Sequence, residues 1–264
     1  MPVTTLHPNL PISVEGQIAI VTIDRQEAMN AFDLGMWDGL ADTMEAISAQ
    51  EDLRCVIIRG ATSAAFSAGA DIKAFETERG SPESEATYAR IFNRGMQSIR
   101  RCQHPVIAAI EGVCMGGGAG ITTMCDFRVG GEGIRFGVTA RKLSLWYSYA
   151  EMDPVIELVG TGVASEIFIE GRIFNGREAY EKGLLSRLVP DAEVQAEAMA
   201  LALRLADGAP LSARFHKRAI QKLRGPLPLT QQEEDAVSDF ALTEDFKNAV
   251  QAFKAKRRPV WQAK

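Results

Sequence analysis

Apolar and polar positions change period several times along the chain, and each change marks an element. Residues 12–23, ISVEGQIAIVTI, place two apolar arms around Glu15-Gly16, the pattern of a hairpin. After the loop DRQEAMNAF (24–32), Leu34, Trp37, Leu40, Met44 and Ile47 recur at intervals of three and four. That spacing predicts a helix with one buried face from Asp33 to about Gln50, with Asp33 as its N-cap. CVIIRG (55–60) reads as a buried strand, ATSAAFSAGAD (61–71) as a small-residue loop, and the region around Gly80-Ser81-Pro82 as an exposed, mobile stretch leading into a helix over about 84–102.

VIAAI (106–110) predicts a second buried strand, which enters the glycine-rich GVCMGGGAG (112–120) and a helix over roughly 117–125. DFRVGGEGIRFG (126–137) supplies two short strands. A helical segment over about 151–170 follows, then RIFNGREA, where Asn175 and Glu178 have the spacing of a capping box, and a strand over 184–190. From Asp191 onward the signal is helical, interrupted at Pro210 and at GPLP (225–228). The recurring strand, strand, helix order predicts an α/β core over residues 1–200. The helical segment 201–264 is too small to fold alone.

Composition narrows the function classes. A chain of 264 residues, 46% hydrophobic, can bury one large core. With 29 basic against 34 acidic residues, a net charge of -5 and no long basic run before the last ten positions, there is no nucleic-acid footprint, and a small-molecule ligand is expected. Cys55, Cys102, Cys114 and Cys125 are widely spaced, which predicts reduced thiols, no disulfide framework and no metal site. The opening MPVTTLHPNLP lacks the order of a signal peptide, and no apolar run approaches the ~18 residues of a membrane span, so a cytoplasmic protein without membrane contact is expected.

Two small-residue loops follow buried strands: FSAGADIK (66–73) and GVCMGGGAG (112–120). Glycine and alanine there let two backbone N–H groups converge on one ligand atom, although each loop alone also reads as a tight turn. Together with DRQEAMNAF, HPVIAAIEGVCMGGG (104–118) and GRIFNGREAYEKGLLSRLVP (171–190), these loops make nearly the whole chain resemble the crotonases, the enoyl-CoA hydratase/isomerase family. The resemblance implies a crotonase-like spiral of strand-strand-helix turns. It also implies a C-terminal helical segment that forms a homotrimer, or a hexamer as a dimer of trimers. An acyl-CoA substrate is implied, with coenzyme A as part of that substrate and no other cofactor. By the same resemblance Ala70 and Gly117 N–H would hold the thioester oxygen, Ala68, Gly69, Asp71 and Ile72 would border the CoA portion, and Lys256 in FKAKRRP (253–259) would approach CoA phosphates, sometimes of a neighbouring subunit. Two fixed donors at a helix start suit the charge of a thioester enolate, and one such donor is typically worth ~2.7–4 kcal/mol in the transition state.

The sequence also departs from the family's pattern. Hydratases of the family carry catalytic glutamates at the positions matching Gly120 and Ala140, and neither residue here can move a proton. Each such role is worth ~100- to 10,000-fold. Substitutes are sought in KLSLWYSYAEMD (142–153), where Tyr147 matches a tyrosine of the family's methylmalonyl-CoA decarboxylases. Ser148 matches an aspartate of its dienoyl-CoA isomerases and chlorobenzoyl-CoA dehalogenases. Tyr147 and Glu151, four apart, would share a helix face if the helix begins early enough. The competing reading makes Trp146, Tyr147 and Tyr149 an aromatic patch shaping a pocket or a subunit contact. His7, His104, His216 and Cys114 read as structural or exposed. Three functions stay open: an acyl-CoA lyase, isomerase, decarboxylase or hydrolase working through an enolate, a catalytically silent acyl-CoA binder, and a hydratase with other acid/base groups.

Overall fold

The computed structural model of the chain describes residues 4–223, 225 and 228–264. Within the GPLP interruption, Pro226 and Leu227 lie outside the described residues. In chain order the core elements are β1 (Ile12–Glu15), β2 (Ile18–Ile23), α1 (Leu34–Ser48), β3 (Cys55–Gly60), β4 (Ala65–Ser67), α2 (Phe75–Glu78), α3 (Pro82–Arg101), β5 (Val106–Ile110), β6 (Val113–Met115), α4 (Gly117–Met124), β7 (Phe127–Gly131) and β8 (Arg135–Gly137). They continue with α5 (Tyr149–Ser165), β9 (Ile173–Phe174), α6 (Gly176–Glu181), β10 (Arg187–Val189), α7 (Val194–Ala206), α8 (Pro210–Leu223), α9 (Gln231–Asp235) and α10 (Glu244–Lys254).

Successive strand pairs are shared between two sheets. One runs β1-β2-β3-β5-β7-β10 and is parallel apart from the edge hairpin β1-β2; the other runs β4-β6-β8-β9, with β9 antiparallel. The three turns β3-β4, β5-β6 and β7-β8 each give one strand to each sheet before the helix that follows. The continuous apolar runs at 55–58 and 106–110 follow from burial on both faces. Val56, Ile58, Val106, Ala108 and Ile110 enter the larger core, while Cys55, Ile57, Ile107 and Ala109 meet Val194, Ala198, Leu201 and Ala202 of α7 on the other face. Residue 200, where the sequence places the end of the core, falls inside α7, whose Leu201 and Ala202 are buried against that sheet.

Local signals hold where they depend on near neighbours. Asp33 caps α1 by accepting from Met36 N at 2.9 Å, and Asn175 with Glu178 forms the expected capping box. The hairpin turn is Gly16-Gln17, one residue later than expected, because Glu15 pairs with Ile18 and Gly16 takes φ +60°. α3 starts two residues early, with Pro82 in its first turn and Ser81 and Ser84 closing a capping box. The last strand shrinks to three residues, since Leu184 and Leu185 are buried in the turn before it. β4 and β6 lie inside stretches that read as loops, and each is only three residues long. No helix among the described residues is long and apolar enough to cross a membrane.

Candidate functional site

The cavity floor is made where the two small-residue loops touch. Gly69, at φ +96°, packs so tightly that a Cβ on it would lie 2.7 Å from Met115 O and 2.8 Å from Gly117 N. Gly116 has φ 51° and ψ -121°, a conformation for glycine alone. On Gly118 a Cβ would stand 2.4 Å from Ser67 O, and on Gly117 one would stand 2.9 Å from the Trp37 ring. Trp37 is fixed in turn: its Nε1–H donates to Tyr88 Oη at 3.1 Å, and its ring lies 4.6 Å from that of Phe92.

Backbone hydrogen bonding decides which way the floor's donors face. Phe32 N–H donates to Gly69 O and Asp71 N–H donates to Phe32 O, so the N–H of the intervening Ala70 points away from Phe32. Gly117 is the first residue of α4, where N–H groups have no partner within the helix. Ala70 and Gly117 line one cavity of about 330 Å³, with Ala68 and Ile72 beside them.

The opposite wall comes from residues 139–151 and from α3. Tyr147 is half-buried, with its ring 5.4 Å from Phe168 and its hydroxyl 3.7 Å from where a Cβ on Gly116 would stand. Burial, then the charge of Glu151, raises its pKa above the usual phenol range. Glu151 Oε2 accepts from Ser148 N and from Ser148 Oγ, both at 2.7 Å, closing the N-terminus of α5. Burial nevertheless holds the Glu151 carboxyl above its ordinary value of 4.5, outweighing the Ser148 hydrogen bonds. Helix α5 begins at Tyr149, so Tyr147 and Glu151 do not share a helix face; they meet because Tyr147 precedes the cap and Glu151 lies one turn beyond it. The expected aromatic patch divides: Tyr147 turns inward and Trp146, although 92% exposed, lines the rim of the cavity, whereas Tyr149 is 93% exposed and outside the lining.

Other expected residues sit elsewhere. The Asp71 carboxylate pairs with Arg25 at 2.8 Å and caps Lys73 N, and it is not part of the cavity lining. Lys256 lies on an exposed turn after α10 and does not line this cavity. His104 is fully buried, and desolvation lowers its pKa to about 4. Cys114 is buried, with its thiol pKa raised by desolvation.

Sequence reasoning missed the contribution of α3 and of Arg79, which ends α2. Arg79, held by Glu85 through two 2.6 Å bonds, packs over the Phe75 and Tyr88 rings and lines the cavity with them. Its partner's hydrogen bonds raise the Arg79 pKa and lower that of Glu85. The signal was the i, i+4 series Tyr88, Phe92, Met96, which marks the inward face of α3.

Over residues 13–264 the chain matches the profile of the family described as enoyl-CoA hydratase/isomerase. The chain belongs to that family. Among its relatives is the short-chain-enoyl-CoA hydratase of Clostridium acetobutylicum, 28% identical over 95% of this chain and 96% of that protein. A probable mitochondrial enoyl-CoA hydratase 2 of Arabidopsis thaliana is 30% identical over 91% and 80%. The crystal structure of an enoyl-CoA hydratase/carnithine racemase from Magnetospirillum magneticum superposes with a TM-score of 0.95 at 40% identity, covering 98% of this chain and 97% of that one. A putative enoyl-CoA hydratase/isomerase family protein from Hyphomonas neptunium gives 0.93 at 31% identity over the full length of both chains. The spiral is the crotonase fold of this enoyl-CoA hydratase/isomerase family.

Proposed function

We propose that this member of the enoyl-CoA hydratase/isomerase family is an acyl-CoA enzyme working through a thioester enolate, with Ala70 and Gly117 N–H as the donors to the thioester oxygen. The observation that carries the reading is the contact of the Gly69 and Gly116–Gly117 loops beneath the Tyr147 hydroxyl. Loss of a proton or of carbon dioxide from the α carbon moves charge onto the thioester oxygen, and donors fixed by packing stabilise it without reorganising. Tyr147 and Glu151 are the proton-bearing groups opposite: burial raises both pKa values, which keeps the phenol protonated as a donor to the enolate and makes the Glu151 carboxylate a stronger base for a proton leaving the α carbon.

Two-glutamate hydration is not the proposed reaction, although the relatives are named hydratases. Position 140 is alanine, and position 120 is glycine whose open side is filled by the Met96 methyl, 2.6 Å from where a Cβ would stand. Crotonyl-CoA hydration should therefore fall below the ~1 per second of ordinary enzymes.

The test compares Gly117→Pro with Gly117→Ala. Both introduce a Cβ against Trp37, but only proline removes the N–H. On whichever thioester of an acyl-CoA panel is turned over, the proline variant should be at least ~100-fold slower than the alanine variant, with equal circular dichroism. Equal rates would remove Gly117 N–H from the chemistry.

Assembly into trimers or hexamers is proposed for the C-terminal helices, where Leu242 and Phe253 are 76% and 86% exposed. In light scattering, Leu242→Glu with Phe253→Glu should give a smaller particle than the parent chain, and an unchanged mass would place the contact elsewhere. Lys256 would then serve CoA phosphates in a neighbouring subunit's cavity.

A further inference from the structure

A second, smaller cavity adjoins the first. Phe92, Gly117, Tyr147 and Glu151 border both, and behind this partition lies a chamber of about 10 Å³. Away from the partition its walls are hydrocarbon, from Met96, Phe136, Val138, Val155, Ile167 and Leu184. The one further hydroxyl there, Thr123 Oγ1, already donates to Gly120 O at 2.8 Å. A space that small, with polar groups only at the Tyr147 and Glu151 partition and at the already bonded Thr123, stays dry.

Met96 closes this chamber from the α3 side. It is buried, and its Cε reaches over Gly120, the one residue of α4 beside the chamber that leaves room for it. Methionine is unbranched and adaptable, so the space it fills can be yielded or enlarged without moving backbone.

We infer that this chamber receives the far end of the acyl chain and that Met96 sets how long that chain can be. The inference rests on the thioester reading above. With the thioester oxygen at Ala70 and Gly117, and Gly117 common to both cavities, a chain continuing from the carbonyl carbon passes Tyr147 and Glu151 and ends against Met96. The substrate class is a short, unbranched hydrocarbon acyl group. A distal carboxylate or hydroxyl would lose its hydration there with no partner in return.

The experiment measures by calorimetry the affinity of 2-oxoalkyl-CoA analogues, which keep the carbonyl but cannot release CoA, with straight tails from acetyl-sized to decanoyl-sized. Each protein's series is read relative to its own shortest analogue. In the parent chain, affinity should rise by about fourfold per methylene and then stop at a short tail. In Met96→Ala the rise should continue to longer tails. Gly120→Ala should stop it earlier, because the new methyl drives the Met96 side chain into the chamber. Gly120→Ala also guards against a Met96→Ala protein that fails to fold, since alanine is the better helix residue and meets only the end of a flexible side chain. Identical length profiles, with the shortest analogue bound by each protein, overturn the inference and leave the thioester reading standing. Absence of binding by the parent chain to every analogue and to CoA itself overturns the thioester reading.

Discussion

At the floor of the cavity, a methyl group on Gly69, Gly117 or Gly118 would stand 2.7, 2.9 or 2.4 Å from Met115 O, the Trp37 ring or Ser67 O. At the wall, Trp146 and Tyr149 are almost wholly exposed, and Tyr147 and Glu151 are the proposed proton-bearing groups. The floor is backbone against backbone at Gly69 and Gly118 and backbone against the Trp37 ring at Gly117, so an added methyl forces a neighbour to shift. The wall is side chains on a turn, tied down by Arg141 Nη1 donating to Ile169 O at 2.6 Å and by the Ser148–Glu151 box. Backbone geometry at the floor is thus fixed by close packing, while the proposed proton-bearing groups sit on side chains of a turn.

The largest effect should come from the floor. Gly69→Ala adds a Cβ at a positive φ and against Met115 O, which must separate the two loops. Turnover of the identified acyl-CoA should fall by ~100-fold or more, as when an oxyanion donor is lost, and near-parent kinetics would show that the loop contact is dispensable. Tyr147→Phe sharpens the comparison from the other side. It should lower kcat by ~10-fold or more with CoA binding nearly unchanged, the signature of a group needed chiefly in the transition state. Full turnover in that variant would return Tyr147 to a packing role.

Glu151→Gln should have the smallest effect, and its pH dependence separates wall from floor. Burial raises the Glu151 pKa in the folded chain, so its protonated form favours folding. That stability is present below the ordinary value of 4.5 and is lost as pH rises through the folded value. In urea unfolding, the parent should therefore lose ground against Glu151→Gln as pH rises above about 4.5, by less than a kcal/mol after solvent screening of this half-exposed group. A difference independent of pH would show that Glu151 acts only as a capping residue.

What could be read from the chain differs between these regions for the same reason. The floor was legible because glycine at a crowded or positive-φ position leaves few alternatives: FSAGADIK and GVCMGGGAG announce two backbones that must come close. The wall was legible only as a list of polar residues. Tyr147 inside the cavity and Trp146 at its exposed rim are neighbours in sequence, and no periodicity separates them, because the turn before α5 is irregular. The Arg79–Glu85 pair was not found, because its cavity position depends on how α3 crosses α1 at Gly95, where a Cβ would meet Trp37 O at 2.6 Å.

By itself the sequence determined the longer helices and strands in their order, the caps at Asp33 and Asn175, the doubly buried strands at 55–58 and 106–110 and the two small-residue loops. All of these follow from interactions among residues a few positions apart or from the demands of one backbone conformation. The tertiary structure alone decided that α7 seals the second face of the sheet, that Asp71 turns to Arg25, and that Met96 rather than a carboxylate occupies the space over Gly120. Those outcomes depend on which distant side chain reaches a given space first, and close packing, which no local pattern encodes, settles that.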